Sequence, residues 1–161
     1  MSAVDYWLQI EGVETESQDE TLTDSIQLES WEWGEKNRGS WSINGGGGQG
    51  KVEMSDFSFT MWLNKASPKL FVMCATGEHI PSAKLTCRKA GGGQQVFFEV
   101  DFLNLSISSF ETVGDGTSVH PRNKISFNFE SIEVNYMEQN ADGTLGATTT
   151  AGYDLKKNQK L

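Results

Sequence analysis

Apolar residues alternate with polar residues along most of this chain. The alternation is clear at Tyr6, Leu8 and Ile10 and again at Ala83, Leu85 and Cys87. Successive side chains of a β-strand point to opposite faces, so a period of two predicts strands with one buried face. The composition of 17 Gly, 3 Pro, 9 Phe and 5 Trp favours tight turns and aromatic-rich strands over helices. The sequence therefore predicts an all-β fold.

The alternation changes phase at four places along the chain. The changes follow Leu28, Met54, Phe102 and Phe129. A one-residue slip requires either a β-bulge or a strand whose buried face changes along its length. An open sandwich with one wet face would keep a single phase, whereas a closed barrel that turns corners needs the change. The four slips favour a β-barrel, or a barrel whose outer surface also meets a neighbouring subunit.

One short helix is predicted at residues 67–77. Ser67 can cap it, Pro68 suits its first position, and Gly77 can end it. Its apolar stripe consists of Leu70, Phe71, Met73 and Cys74. At 161 residues, the chain is expected to form one domain spanning residues 1–161, with extended loops between the strands.

The charge balance excludes several classes of partner. Lys and Arg number 13 against 22 Asp and Glu, a net charge of −9, so attraction to nucleic acid or to anionic membranes is lacking. No run of about 18 apolar residues predicts membrane insertion. The first residues contain neither a basic segment nor a secretory apolar run, so we expect a protein made in the cytoplasm without a signal peptide.

A glycine-rich segment partly matches a nucleotide-binding motif. Residues 45–51 fit most of the pattern G-x-x-x-x-G-K. Val52 stands where a Ser or Thr should reach magnesium, and the residues after it alternate like a strand, although a P-loop requires a helix there. The segment is interpreted as a flexible loop between strands, and no cofactor is predicted.

The remaining reactive side chains do not form a predicted site. His79 and His120 lie in turn or loop segments without a third orienting group, so they are interpreted as surface residues. Cys74 and Cys87 lack the paired spacing of a zinc or redox motif and are interpreted as reduced packing residues. The acidic residues show no metal-ligand spacing. The prediction is no catalytic residue and no metal.

The tryptophans support an alternative function. Trp31 and Trp33 share one strand face around Glu32, as in a platform that stacks sugars, although such a pair more often lies in a core or a subunit interface. A glycosidase would need two facing carboxyl groups, which a sequence does not reveal. The alternative functions are a carbohydrate-binding β-sandwich module and a small glycosidase.

Several short motifs occur in order along nearly the whole chain. They are Trp31-x-Trp33-Gly34, Gly45-Gly46-Gly47-Gly48-x-Gly50-Lys51-Val52, Lys65-Ala66-Ser67-Pro68-x-Leu70, His79-x-Pro81-x-Ala83-x-Leu85, Arg88-Lys89-Ala90-Gly91-Gly92 and Gly152-x-Asp154-x-x-x-Asn158. Each motif alone is weak, but the ordered set is specific. The chain resembles the haemolysin-coregulated protein (Hcp) family, the tube subunit of bacterial type VI secretion.

The resemblance implies both a fold and a structural role. The implied fold is a β-barrel of two packed sheets with one flanking helix. The implied assembly is a homohexameric ring that stacks with other rings into a hollow tube. A contractile sheath surrounds that tube, a spike protein sits at its tip, and some rings hold effector proteins in the lumen. Secretion through this machine needs no cleaved signal, and the implied role is not enzymatic.

Two site expectations follow from the resemblance and the composition. In family members the residue between the paired tryptophans is small, polar and lumen-facing, so Glu32 is expected to make the bore more acidic and to favour basic cargo. A glycine-rich loop that orders only on contact suits reversible stacking, which makes it a candidate inter-subunit or inter-ring contact. This loop consists of Gly45, Gly46, Gly47, Gly48, Gln49 and Gly50.

Overall fold

A computed structural model of the chain describes residues 3–37, 52–91 and 93–161. Within these residues the elements are, in chain order, β1 (Val4–Ile10), β2 (Ser25–Leu28), β3 (Ser30–Glu32), β4 (Glu35–Asn37), β5 (Val52–Met54), β6 (Phe57–Trp62), α1 (Ser67–Thr76), β7 (Ile80–Lys89), β8 (Val96–Val113), β9 (Arg122–Gln139), β10 (Leu145–Asp154) and β11 (Gln159–Lys160). Strands dominate, and the described part contains one helix, as predicted.

The antiparallel strand pairings, together with one chain connection, form a closed circuit around the core. Starting at β1, the path runs through β7, β8, β9, β6 and β3. The remaining step joins β3 to β2, which pairs with β1. Only Glu29 separates β2 from β3, and its N–H donates to the Thr60 carbonyl at 2.9 Å. Six strand pairings and this one chain connection bring the path back to its start, which is the arrangement of a β-barrel, as predicted.

Two further groups of strands lie outside this closed path. β10 pairs with the second half of β9, and β11 pairs with the end of β10. β4 and β5 form a separate two-stranded sheet. No helix among the described residues is long and apolar enough to cross a membrane.

The two long strands change their buried face at the same level. In β8 the buried side passes from Phe102 to Leu105, and in β9 it passes from Phe129 to Ile132. The register is retained across the change, because Leu103 still pairs with Ser131 and Leu105 with Phe129. Asn104 lies at this level with a φ of 53°, in the left-handed region. The third and fourth predicted slips are therefore face changes, which let both strands curve around the barrel.

The other two slips are breaks between strands. The first falls at Glu29, where the chain leaves β1 and joins β6. The second falls between β5 and β6, which belong to different sheets. Register shifts of the β-bulge kind occur elsewhere, between Cys87 and Arg88, between Ile107 and Ser109 and between Leu145 and Thr148.

Aromatic side chains from facing walls of the barrel meet in its interior. Phe57 of β6 lies 5.0 Å from Phe102 of β8 and 5.1 Å from Phe127 of β9, measured between ring centroids. Phe127 and Phe102 meet edge to face at 4.9 Å. Such contacts add to the burial of large apolar areas, which supplies most of the stabilisation of a fold.

Helix α1 differs from its prediction in two details. Ala66, not Ser67, holds the N-cap position, and Ser67 is buried, with its hydroxyl donating to Asn123 Oδ1 at 2.7 Å. Phe71, which the sequence grouped in one apolar stripe with Leu70 and Met73, is 57% exposed and contacts Phe110 edge to face. The helix ends as predicted at Gly77, whose φ of 66° suits glycine.

Candidate functional site

The outward side of four barrel strands forms one continuous polar surface, called here the outer face. It belongs to β3, β6, β9 and the second half of β8, and each strand alternates between this face and the core. The register places Glu32, Ser58, Ser126 and Ser109 in one row across the four strands. The next row along the strands consists of Ser30, Thr60, Lys124 and Glu111.

Hydroxyl and amide groups on the outer face bond to one another across the strands. The Ser30 and Thr60 hydroxyls are 2.6 Å apart, and those of Ser58 and Ser126 are 2.7 Å apart. At the next level Ser106 donates to Asn128 Oδ1 at 2.8 Å. In these cross-strand bonds the polar side chains satisfy one another within the sheet. These hydroxyls are therefore paired with one another, whereas Glu32, Lys124 and Glu111 are exposed charges on the same surface.

Glu32 is an acidic residue of this surface, on its outermost strand β3. It is exposed and pairs in register with Ser58, while its neighbour Trp31 points the opposite way into the barrel. The alternation correctly predicted that Glu32 and Trp31 lie on opposite sides of the strand. The neighbouring hydroxyls were not singled out from the sequence, although the run Phe57-Ser58-Phe59-Thr60 carries the signal.

The tryptophans do not form a platform for sugars. Trp31 stacks against Phe57 at 5.9 Å and against Phe98 at 6.3 Å, and Trp33 also packs against the core. Trp62 is 39% exposed, but the Arg122 guanidinium covers its ring at 4.5 Å. The two tryptophans on either side of Glu32 therefore pack in the core. The alternative of a carbohydrate-binding module is not supported.

The nucleotide motif lies mostly outside the described residues. Residues 38–51 include Gly45 to Gly48, Gln49, Gly50 and Lys51, so the structure does not describe the loop. The described residues that follow, Val52–Met54, form strand β5 and not a helix. A P-loop places its phosphates at a helix N-terminus, so β5 agrees with the interpretation of a glycine loop between strands.

The histidines and cysteines lie apart from one another. His79 is exposed, and its Nε2 lies 2.9 Å from Asn104 Oδ1, while His120 is exposed in the loop between β8 and β9. Both cysteines are free, Cys87 buried and Cys74 half-buried. Burial raises the pKa of the Cys87 thiol to about 12, so this side chain is a packing residue and not a thiolate nucleophile at neutral pH.

The sequence did not reveal a buried ion-pair cluster around Arg88. The Arg88 side chain is 4% exposed and donates through both terminal nitrogens to the carboxylate of Asp19. Asp5 Oδ2 lies 3.5 Å from Arg88 Nε, and the Trp7 ring centroid lies 5.4 Å from the guanidinium. The Arg88 guanidinium holds the pKa of Asp19 well below its usual range. The cluster fastens the loop between β1 and β2 to the barrel.

Comparisons with known proteins agree with this architecture. The family model described as "Type VI secretion system effector, Hcp" matches residues 7–136. Protein hcp1 of Pseudomonas aeruginosa is 38% identical over 158 residues, which cover 97% of this chain and 98% of that protein.

Solved structures of the same kind also match over nearly their whole length. A type six secretion system protein matches with a TM-score of 0.92 and 26% identity, over 99% of this chain and 100% of the other. Hcp1 of Salmonella typhimurium matches with a TM-score of 0.82 and 29% identity, over the same shares of the two chains. The family model spans well over half of the chain, and the relative from Pseudomonas exceeds 30% identity. The chain therefore belongs to the Hcp family of the type VI secretion system.

Proposed function

We propose that this type VI secretion tube subunit works as a closed ring of six copies, and that the rings stack into a hollow tube. The single observation that carries the proposal is the outer face, a broad polar wall on a barrel that needs no further strand to close. Hydroxyls that already bond to one another have less hydrogen-bonding capacity left for a passing protein. The whole chain, residues 1–161, assembles as one domain.

The first experiment measures the mass of the particle in solution. Light scattering of the purified full chain is expected to give about six times the chain mass of 17.8 kDa. A strictly monomeric protein at micromolar concentration contradicts the ring and favours an isolated binding module.

Glu32 is proposed to line the bore of this ring. Its support is its position on the outer face, exposed and beside hydrogen-bonded serines. Six copies would place six carboxylates around one channel. At physiological salt each charge is screened within about 8 Å, so the ring tolerates them while a cargo protein still meets a negative collar. The cargo class is therefore an effector with a basic surface.

The test of this assignment removes the charge of residue 32 and keeps nearly the same side-chain shape. Glu32→Gln is expected to leave the ring intact and to reduce co-purification of basic effectors most. Glu138→Gln, at an exposed position near the end of β9, is the matched control and should leave cargo unchanged. If Glu32→Gln dissociates the ring while each remaining ring keeps its cargo, Glu32 belongs to the interface between subunits.

The glycine-rich loop is proposed as a contact between rings or between subunits. Its support is composition alone, because residues 45–50 lie outside the described part of the chain. Removing Gly46, Gly47 and Gly48 is expected to leave the mass of single rings unchanged and to reduce secretion of the protein by the machine. Unchanged secretion of the shortened chain contradicts this role.

The proposed partners are the sheath, the spike and the effectors of the type VI machine, and export through that machine is the proposed route out of the cell. No catalytic activity is proposed, in agreement with a structural role and with strand β5 at the place where a P-loop helix would begin. ATP binding by the purified ring that Lys51→Ala abolishes would overturn this.

A further inference from the structure

Helix α1 is apolar on both of its sides. Leu70 and Met73 are buried against the barrel. The opposite side, called the outward helix face, consists of Pro68, Phe71, Val72 and Ala75. These residues are exposed, uncharged and spaced i, i+3, i+4 and i+7, with Val72 47% exposed. Lys69 and Thr76 are the exposed polar residues at the flank of the helix, and an apolar side between them and the barrel is normally covered, so this face lacks a cover in the single chain.

Strand β10 provides a second surface without charge. Residues 145–153 contain no charged side chain, although the chain carries a net charge of −9. Residues 147–151 are all exposed, and β11 pairs only with Tyr153 and Asp154. The edge of β10 along residues 147–151 therefore has no strand partner among the described residues. Soluble proteins usually protect such edges with charges or proline, and this stretch has neither.

One side of β10 continues the interior side of the barrel. Thr149 pairs in register with Tyr136, and Ala151 pairs with Val134. Val134 in turn pairs with Val100, which is buried in the core. This continuation, called the β10 ledge, consists of Tyr136, Thr149 and Ala151. Tyr136 is 52% exposed, so its aromatic side chain is accessible on the side of the sheet that is buried in the barrel core further along.

We propose that the outward helix face of one copy packs on the β10 ledge of the next copy around the ring. Two copies with the same large negative charge repel each other, and they approach at least cost where neither carries charge. The centres of protein interfaces are likewise depleted of charged residues. A helix laid along an open strand is also one of the ways in which edges are protected.

The geometry of the proposed contact suits a closed ring. The helix and the ledge are different surfaces of one chain, so the contact is heterologous, and a heterologous contact closes into a ring when its rotation is right. This inference rests on the proposed ring, but it assigns the residues that hold the ring together, which the ring itself does not specify.

The first test places one charge on the outward helix face. Val72→Glu is expected to lower the mass of the full-chain particle about sixfold, from ring to monomer, because an unpaired carboxylate would be desolvated in each contact. Val119→Glu is the matched control, since Val119 is 92% exposed in the loop between β8 and β9. Ala75→Glu provides a second variant on the same face, and circular dichroism checks that each variant folds.

The second test uses the two-surface character of the contact. Thr149→Glu, with Ala151→Glu as its second variant, is expected to give monomers in the same way. A subunit with Val72→Glu keeps an intact ledge, and a subunit with Thr149→Glu keeps an intact helix face. Mixing the two variants at a concentration where each alone is monomeric is expected to give particles of two subunits.

The outcomes separate this inference from the proposed ring. If the unmodified chain is monomeric, the ring itself is wrong. If the unmodified chain forms rings and the Val72→Glu and Ala75→Glu variants form equal rings, the helix contact is wrong. Dissociation by Val119→Glu as well, or a mixture that stays monomeric, also overturns the pairing of helix with ledge.

Discussion

The two sides of strand β6 have different roles in this protein. On the inner side, Phe57, Phe59 and Met61 are at most 1% exposed. On the outer side, Ser58 and Thr60 bond to hydroxyls of the strands beside them. The inner side fixes the barrel through packing, whereas the outer side adds little to the fold. Residues on the outer face, including Glu32, are therefore free to change what the surface meets without changing the barrel.

The largest expected effect comes from breaking the inner side. Phe57→Ala removes a ring that contacts both Phe102 and Phe127 and leaves a cavity in the barrel. The free energy of unfolding is expected to fall by about 3 to 5 kcal/mol. Urea denaturation at one fixed protein concentration measures it, because assembly also adds to apparent stability. A loss under about 1 kcal/mol would contradict the division between the two sides.

A smaller loss of folding stability is expected from Asp19→Asn, because Asp19 forms an ion pair with the buried Arg88. The pKa of Asp19 is lowered in the folded protein from an ordinary value of 3.8, so its ionised form stabilises the fold above about pH 4. This stabilisation is lost as the pH falls further below that value. The variant is expected to lose about 1 to 3 kcal/mol at neutral pH, and the difference from the unmodified chain should narrow in acid.

Glu20→Gln is the control for the ion pair, because Glu20 is exposed on the same connection between β1 and β2. Thermal unfolding between pH 7 and pH 3 measures both variants. A difference for Asp19→Asn that stays constant over this range would show that the charge of Asp19 does not stabilise the fold.

The smallest effect is expected on the outer face. Ser58→Ala removes one hydroxyl bond to Ser126 and leaves Ser126 within reach of water. The free energy of unfolding is expected to change by about 0.5 kcal/mol or less. The same urea titration measures it, and a loss comparable to that of Phe57→Ala would show that the outer face also holds the barrel together.

Local patterns in the sequence predicted most of the strands and the helix. The face changes of β8 and β9 were visible as phase slips, and Glu32 was correctly placed opposite Trp31. Phe71 was grouped with the buried Leu70 and Met73, although it is exposed, because apolar residues lie on both the buried and the exposed side of α1 and the pattern does not separate them. The Arg88 cluster joins Asp5, Asp19 and a strand about seventy residues further along, and no local pattern marks a pairing between such distant segments.

Strand β9 pairs with β6, β8 and β10, and it extends from Arg122 to Gln139 near the end of the chain. A ribosome adds about 5 to 20 residues per second, so β6 is made several seconds before the strand that it needs. The barrel therefore closes only when synthesis is nearly complete. Until then Phe57 and Phe59 lack the β9 side of the barrel with its Phe127, and a chain cut short before β9 would leave them partly exposed to aggregation and proteolysis.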